Sequence, residues 1–97
     1  MTNSQPTTFA LYHYDSCPYC SKTRRSIDEL GVEVELRNIK LNHQHQLELL
    51  QGGRKTQVPC LRIGKLTGES QWLYESDDII DYLSRYQKEL FRLTRMA

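Results

Sequence analysis

Cys17-Pro18-Tyr19-Cys20 places two thiols at a spacing that suits redox exchange. The pair follows an apolar run, Phe9-Ala10-Leu11-Tyr12-His13-Tyr14, and opens a segment, Ser21 to Leu30, with helical character. A sulfur at a strand-to-helix turn lies at a helix N-terminus, where unpaired backbone N–H groups and the macrodipole favour the thiolate. The thiolate is the form that attacks disulfides. The second sulfur, one helical turn on, can close back on the first and expel whatever it has captured. Cys17 is therefore the candidate nucleophile and Cys20 the candidate resolving thiol. The other chemistry open to a Cys-x-x-Cys pair is zinc binding, which needs about four ligands. Cys60, His13, His43 and His45 are the remaining soft candidates, and they form no second knuckle. His43 and His45 are two apart on an expected helix and point to different faces. No metal is expected.

The elements around the pair can be read from residue periodicity. The first strand is expected at about Thr8 to Tyr14, after a short polar tail, 1–7. Asp15 and Ser16 read as turn and cap residues. Pro18 suits a first helical position, where its missing N–H costs nothing. On the first helix Cys20, Ile27 and Leu30 fall near one face, while Lys22, Arg24, Arg25 and Glu29 are expected to face water. Gly31 is a stop signal. Val32 to Leu36 alternates with the period of a strand. Asn42 caps an expected second helix, His43 to Gln51, ended by Gly52-Gly53. Leu61 to Ile63 and Gln71 to Tyr74 read as a hairpin around a turn at Gly64 to Gly68. Ser76 is the expected cap of a last helix with an apolar stripe of Ile79, Ile80, Leu83, Tyr86 and Leu90. The order β-α-β-α-β-β-α, with the cysteine pair at the first strand-to-helix turn, predicts an α/β, thioredoxin-like fold. Its four-stranded mixed sheet is flanked by helices.

The chain has 97 residues and a formal net charge of +1. That length suits one domain, 8–97, with a single modest core. The charge gives no reason to expect a nucleic-acid partner, and no apolar run is long enough to suggest a membrane span. Met1 to Pro6 lacks a basic and an apolar region, so no secretory signal is expected. Three cysteines of this pattern argue against a structural disulfide framework and for a cytoplasmic redox or metal role.

Three separated motifs together resemble the glutaredoxin family: Cys17-Pro18-Tyr19-Cys20, Thr56-Gln57-Val58-Pro59, and Glu75-Ser76-Asp77-Asp78. The likeness runs from about Phe9 to Leu83. Glu75-Ser76 also resembles the Glu-Ser pair of the glutathione transferase N-terminal domain. Tyr14 departs from the pattern, standing where many glutaredoxins carry a lysine. The resemblance implies glutathione as cosubstrate and a cis peptide bond before Pro59. It also implies that the Val58 backbone pairs with the tripeptide like an added strand. Tyr19 and Gln57 would contact the bound peptide. Glu75, Ser76 and Asp77 would hold its glutamyl end, with backbone N–H groups taking the carboxylate and a side-chain carboxylate, Asp77 first, taking the ammonium. Cys60 is expected to be a buried strand residue.

The implied function is a monomeric, glutathione-dependent thiol–disulfide oxidoreductase acting on glutathionylated or disulfide-containing proteins. The alternatives are a glutathione-binding module of the transferase N-terminal type and an Fe–S cluster carrier using Cys17 and glutathione. The residue pattern around Cys17 speaks against the cluster role, because cluster-binding relatives mostly have a single cysteine or a serine in place of Pro18.

Overall fold

The computed structural model describes residues 7–65 and 67–96. The expected tail, 1–7, lies outside the described residues except for Thr7, as does Leu66 within the expected turn. The elements are β1 (Thr8–His13), α1 (Pro18–Leu30), β2 (Glu35–Asn38), α2 (His43–Gly53), β3 (Cys60–Gly64), β4 (Ser70–Tyr74) and α3 (Ser76–Met96). The sheet order is β2-β1-β3-β4. β2 runs parallel to β1, while β3 and β4 are antiparallel to their neighbours. This is the thioredoxin-like arrangement that the element order implied.

β1 is central, which explains its unbroken apolar run. Phe9 and Leu11 face α1 and α3, packing with Ile27, Val32, Leu61, Ile63, Ile79 and Leu83. Ala10 and Tyr12 face α2, packing with Ile39, Leu49 and Cys60. Leu11, Leu61, Ile63, Ile79 and Leu83 have no exposed surface. Each fully buried side chain of this kind contributes about 1.5–3 kcal/mol. Phe9 meets Tyr86 edge-on at 4.8 Å between ring centroids, which ties α3 to the strand.

β1 ends at His13, one residue short of the expected Tyr14, and β2 runs on to Asn38, past Leu36. Four further differences have physical reasons. β2 begins at Glu35, not Val32, because only Glu35–Asn38 lies beside β1, in register Ala10↔Glu35 to His13↔Asn38. Val32 and Val34 instead anchor the incoming connection in the core under α1 and α3. α2 continues through Gly52 and Gly53 and stops at Arg54, which takes the left-handed conformation (φ 71°). The two glycines serve close approach: a Cβ on Gly52 would overlap the Trp72 ring, and one on Gly53 would overlap the Tyr74 hydroxyl. The N-cap of α1 is Cys17 itself, not Asp15 or Ser16. Ser76 is the first residue of α3, and Glu75 holds the cap position, its carbonyl accepting from Ile79 N–H at 3.0 Å.

Behind the sheet, the Tyr12 hydroxyl donates to Glu48 Oε1 (3.0 Å) and accepts from Arg37 Nη1 (2.7 Å). Arg37 also pairs with Glu35 and Glu48. Arg37 is thus bound up in a structural cluster, unlike a free cation on the surface.

Candidate functional site

α1 starts where Cys17 leaves the extended region (φ −86°, ψ 116°) and Pro18 takes the first helical position. Ser21 N–H donates to Cys17 C=O at 3.0 Å, closing the first turn. The Cys20 N–H donates to Cys17 Sγ at 3.3 Å. The sulfur therefore takes the part of the Asp or Ser oxygen that ordinarily caps a helix. It sits among the orphan N–H groups of the first turn and engages one of them.

Cys17 is only 6% exposed and Cys20 is fully buried, so of the pair only Cys17 has any surface. No disulfide joins them: Cys17, Cys20 and Cys60 are all free thiols. Burial pushes the Cys20 thiol up to about 12, and its contact with Cys17 adds to the effect. Burial likewise pushes Cys60 up to about 11. Tyr74, against Cys60, is also raised by burial and by that neighbour. Cys60 lies at the start of β3, fully enclosed.

A cleft of about 430 Å³ is lined by Tyr19, Lys22, Gln57, Val58, Pro59, Glu75, Ser76 and Asp77. Seven of these come from the three sequence motifs. Cys17 and Cys20 are not in the lining; Cys17 adjoins it through the turn that carries Tyr19. Tyr19 itself is 64% exposed at the start of α1. The Val58–Pro59 peptide bond is cis. Glu75 adopts φ 74°, a region that non-glycine residues enter rarely. Such backbone outliers cluster at ligand clamps. Its carboxylate accepts from Gln57 Nε2 at 3.4 Å, linking the second and third motifs across the cleft. Ser76 is buried at the opening of α3, with Asp77 and Asp78 in the first turn.

Lys22 is the residue of this cleft that motif matching missed. Its ammonium pairs with Asp77, joining α1 to α3 across the rim. Both side chains are largely exposed, at 50% and 82%. An exposed pair of this kind is worth about 0–1 kcal/mol. Asp77 can therefore exchange this partner for a ligand cation at little cost. The sequence signal was the spacing: Lys22 lies three residues after Tyr19, on the same side of α1.

A second cleft, about 480 Å³, opens over the sheet between Arg37, Arg62 and Lys65, with Glu35 and Glu69 beside them. No thiol lines it, and its three cations face two carboxylates. Among the described residues no group of three or more His, Cys, Asp or Glu side chains is placed to hold a metal ion. No helix among them is long and apolar enough to cross a membrane.

Comparison with known proteins gives concordant results. Residues 11–89 match the family model of the glutathione S-transferase N-terminal domain. Glutaredoxin 2 of Escherichia coli (strain K12) is 36% identical over 75 residues, which are 77% of this chain and 32% of that protein. The maleylacetoacetate isomerase of Anaeromyxobacter dehalogenans 2CP-1, solved with glutathione in its active site, superposes with a TM-score of 0.66 at 26% identity. The superposition covers 89% of this chain and 40% of the isomerase. A thioredoxin-like protein shares the fold over 78% of this chain and 99% of its own, with a TM-score of 0.62 at 17% identity. The chain spans about a third of the length of the curated relative (32%).

Proposed function

The chain belongs to the family of the glutathione S-transferase N-terminal domain, in a glutaredoxin-like form, and from that membership we propose that it is a glutathione-dependent thiol–disulfide oxidoreductase. The observation that carries the reading is the Cys17 sulfur capping α1 beside the cleft formed by the other two motifs.

Cys17 thiolate attacks the glutathione sulfur of a protein–glutathione mixed disulfide. The protein sulfur leaves with the bonding pair and takes up a proton, and Cys17 becomes glutathionylated. A second glutathione thiolate then attacks the glutathione sulfur, releasing Cys17 and glutathione disulfide. Alternatively, Cys20 attacks Cys17 Sγ, expelling glutathione and leaving a Cys17–Cys20 disulfide for two further glutathiones to reduce. In this scheme Val58 N–H and C=O pair with the cysteinyl backbone of glutathione. The N–H groups opening α3 at Ser76 take the glutamyl carboxylate. Asp77, released by Lys22, takes the ammonium; Tyr19, Gln57 and Glu75 line the same pocket. The setting would be a reducing compartment, the cytoplasm, with glutathionylated or disulfide-containing proteins as substrates.

The test is turnover of a glutathionylated peptide with glutathione, coupled to glutathione reductase. Wild type should turn over, and Cys17→Ser should be inactive. Cys20→Ser should keep peptide deglutathionylation and lose most reduction of protein disulfides. Activity surviving Cys17→Ser would refute the scheme. A family match to a transferase domain also supports a plain glutathione-binding module. That reading would instead give glutathione binding with no turnover.

A further inference from the structure

Arg24 is the α1 cation whose placement departs most from a solvated helix face. The sequence puts it in water with Lys22 and Arg25; the structure half-buries it and turns its guanidinium inward. Nη1 meets His13 Nδ1 at 2.9 Å, and Nη2 donates to Ser21 Oγ at 3.2 Å. Arginine keeps its proton throughout the accessible pH range and can only donate. His13 Nδ1 is therefore the acceptor, and the ring is neutral with its proton on Nε2. His13 is itself buried at the end of β1, next to the turn that carries the cysteines. The guanidinium is thus held from two sides: by the first turn of its own helix through Ser21, and by the central strand through His13. Four residues separate Arg24 from Cys20, so the two side chains share a face of α1.

We propose that Arg24, braced by His13, is the positioning residue that readies Cys20 for the resolving step. The inference rests on the oxidoreductase reading and assigns a residue to one branch of it. In that branch Cys20 gives its proton to a solvent base, and its thiolate attacks Cys17 Sγ. The Cys17–Cys20 bond forms, the Cys17–glutathione bond breaks, and glutathione leaves with the electron pair and then takes up a proton. In this exchange the Cys20 sulfur passes from thiol to disulfide level and the glutathione sulfur from disulfide to thiol level, so no outside oxidant is needed.

The thiolate that appears in this step is fully enclosed, so a fixed positive charge nearby matters more than in water. Cys17, whose sulfur accepts from Cys20 N–H, acts on the Cys20 thiol together with the Tyr14 backbone and, as the smallest influence, the charge of Arg24. Two of the influences that hold the Cys20 proton in place, the hydrogen bond and the charge of Cys17, come from Cys17 itself. Both disappear once Cys17 is a mixed disulfide. Burial then opposes ionisation, and Arg24 and the Tyr14 backbone favour it. Cys20 thus stays a thiol while Cys17 is free and becomes easier to ionise only when there is something to resolve. The groups facing His13 are Arg24 and Asp15. Burial, with the Arg24 charge, lowers His13 from its ordinary value, which keeps the brace neutral at physiological pH.

The experiment mixes the reduced full chain with glutathione disulfide, quenches with acid, and counts by mass the glutathionylated and internally oxidised species over time and pH. In Arg24→Gln the conversion of the first species to the second should slow several-fold, and its pH profile should move to higher pH. The same substitution made together with Cys20→Ser has no resolving thiol to act on, so its effect on glutathionylation should be much smaller than its effect on resolution. Arg24→Lys keeps the charge without the forked grip on His13 and Ser21, and should lie between. Wild-type rate and pH profile in Arg24→Gln overturn the assignment; if that variant does not fold, the same result in Arg24→Lys does so. Failure of the wild-type chain to form the internal disulfide at all would overturn the dithiol reading instead.

Discussion

The burial of the cysteines predicts a large and measurable split in their reactivity. Alkylating agents attack the thiolate, so labelling rate scales with the ionised fraction and with access. Cys20 sits at about 12 against an ordinary value of 9.0, because burial disfavours its charged form. A thiol raised that far has an ionised fraction at about pH 8 that is about a thousandfold below that of an ordinary thiol. Cys60, at about 11 against the same 9.0, is cut by about a hundredfold. Neither has exposed surface, so steric exclusion slows both further. Cys17 is the one cysteine of the three with any exposed surface, at 6%. Native chain treated with limiting iodoacetamide at about pH 8 and mapped by peptide mass should therefore carry label on Cys17 alone. Label on Cys60 should follow only as the pH climbs well past neutrality, and Cys20 should be the last. After denaturation all three should label at similar rates. Labelling of Cys20 at a rate near that of Cys17 in the native chain would refute the reasoning, since it would require either an ionised or an accessible second sulfur.

Three further outcomes follow from the same geometry. Cys60 ionises more easily unfolded than folded, so the stability it confers is complete below about pH 9 and is lost as pH rises through about 11. Urea unfolding should show wild type losing about 3 kcal/mol more than Cys60→Ala across that window, and parallel curves would count against the buried thiol. Gly52→Ala should destabilise by about 1–3 kcal/mol, because its Cβ must displace the Trp72 ring; an unchanged urea midpoint would mean the ring yields freely. Asp77→Ala should raise the apparent KM for glutathione by about tenfold or more, the loss of one charged hydrogen bond, with helix content retained. Unchanged kinetics would move the ammonium site to Glu75.

How much of this was legible in the sequence depends on how local each cause is. The start of α1 and the hairpin are written in neighbouring residues: Pro18 after an extended stretch, and Leu61 and Ile63 alternating across β3. The cleft was legible only through the resemblance, since nothing local to Gln57 or Asp77 brings those residues together. What escaped has causes distant in sequence. Val32 and Val34 have the alternation of a strand, yet they alternate against α1 and α3, and a parallel ladder forms only where β1 lies alongside. Gly52-Gly53 reads as a stop, and only the bulk of Trp72 and Tyr74 across the interface reveals that the helix needs a bare surface there. Ser76 reads as a cap, and the left-handed turn at Glu75 that displaces it comes from joining β4 to α3.

Charged residues show the same limit more sharply. Lys22, Arg24, Arg25 and Arg37 look alike in a charge pattern, and periodicity assigns the three on α1 to solvent. In the fold they part company. Lys22 bridges to Asp77, Arg37 is consumed by Tyr12, Glu35 and Glu48, and Arg24 turns inward to His13. The difference lies in the partner each finds on another element, which no window along the chain contains. His13 carried the missing clue. A histidine inside an apolar central strand must satisfy its ring nitrogens when buried, and the donors able to reach it lie on the helix that follows. A buried polar residue on the strand that leads into a redox turn is therefore a sequence signal for a second, hidden partner of the thiols. Here that partner is Arg24, and it is the one cation whose removal should separate the fate of Cys20 from that of Cys17.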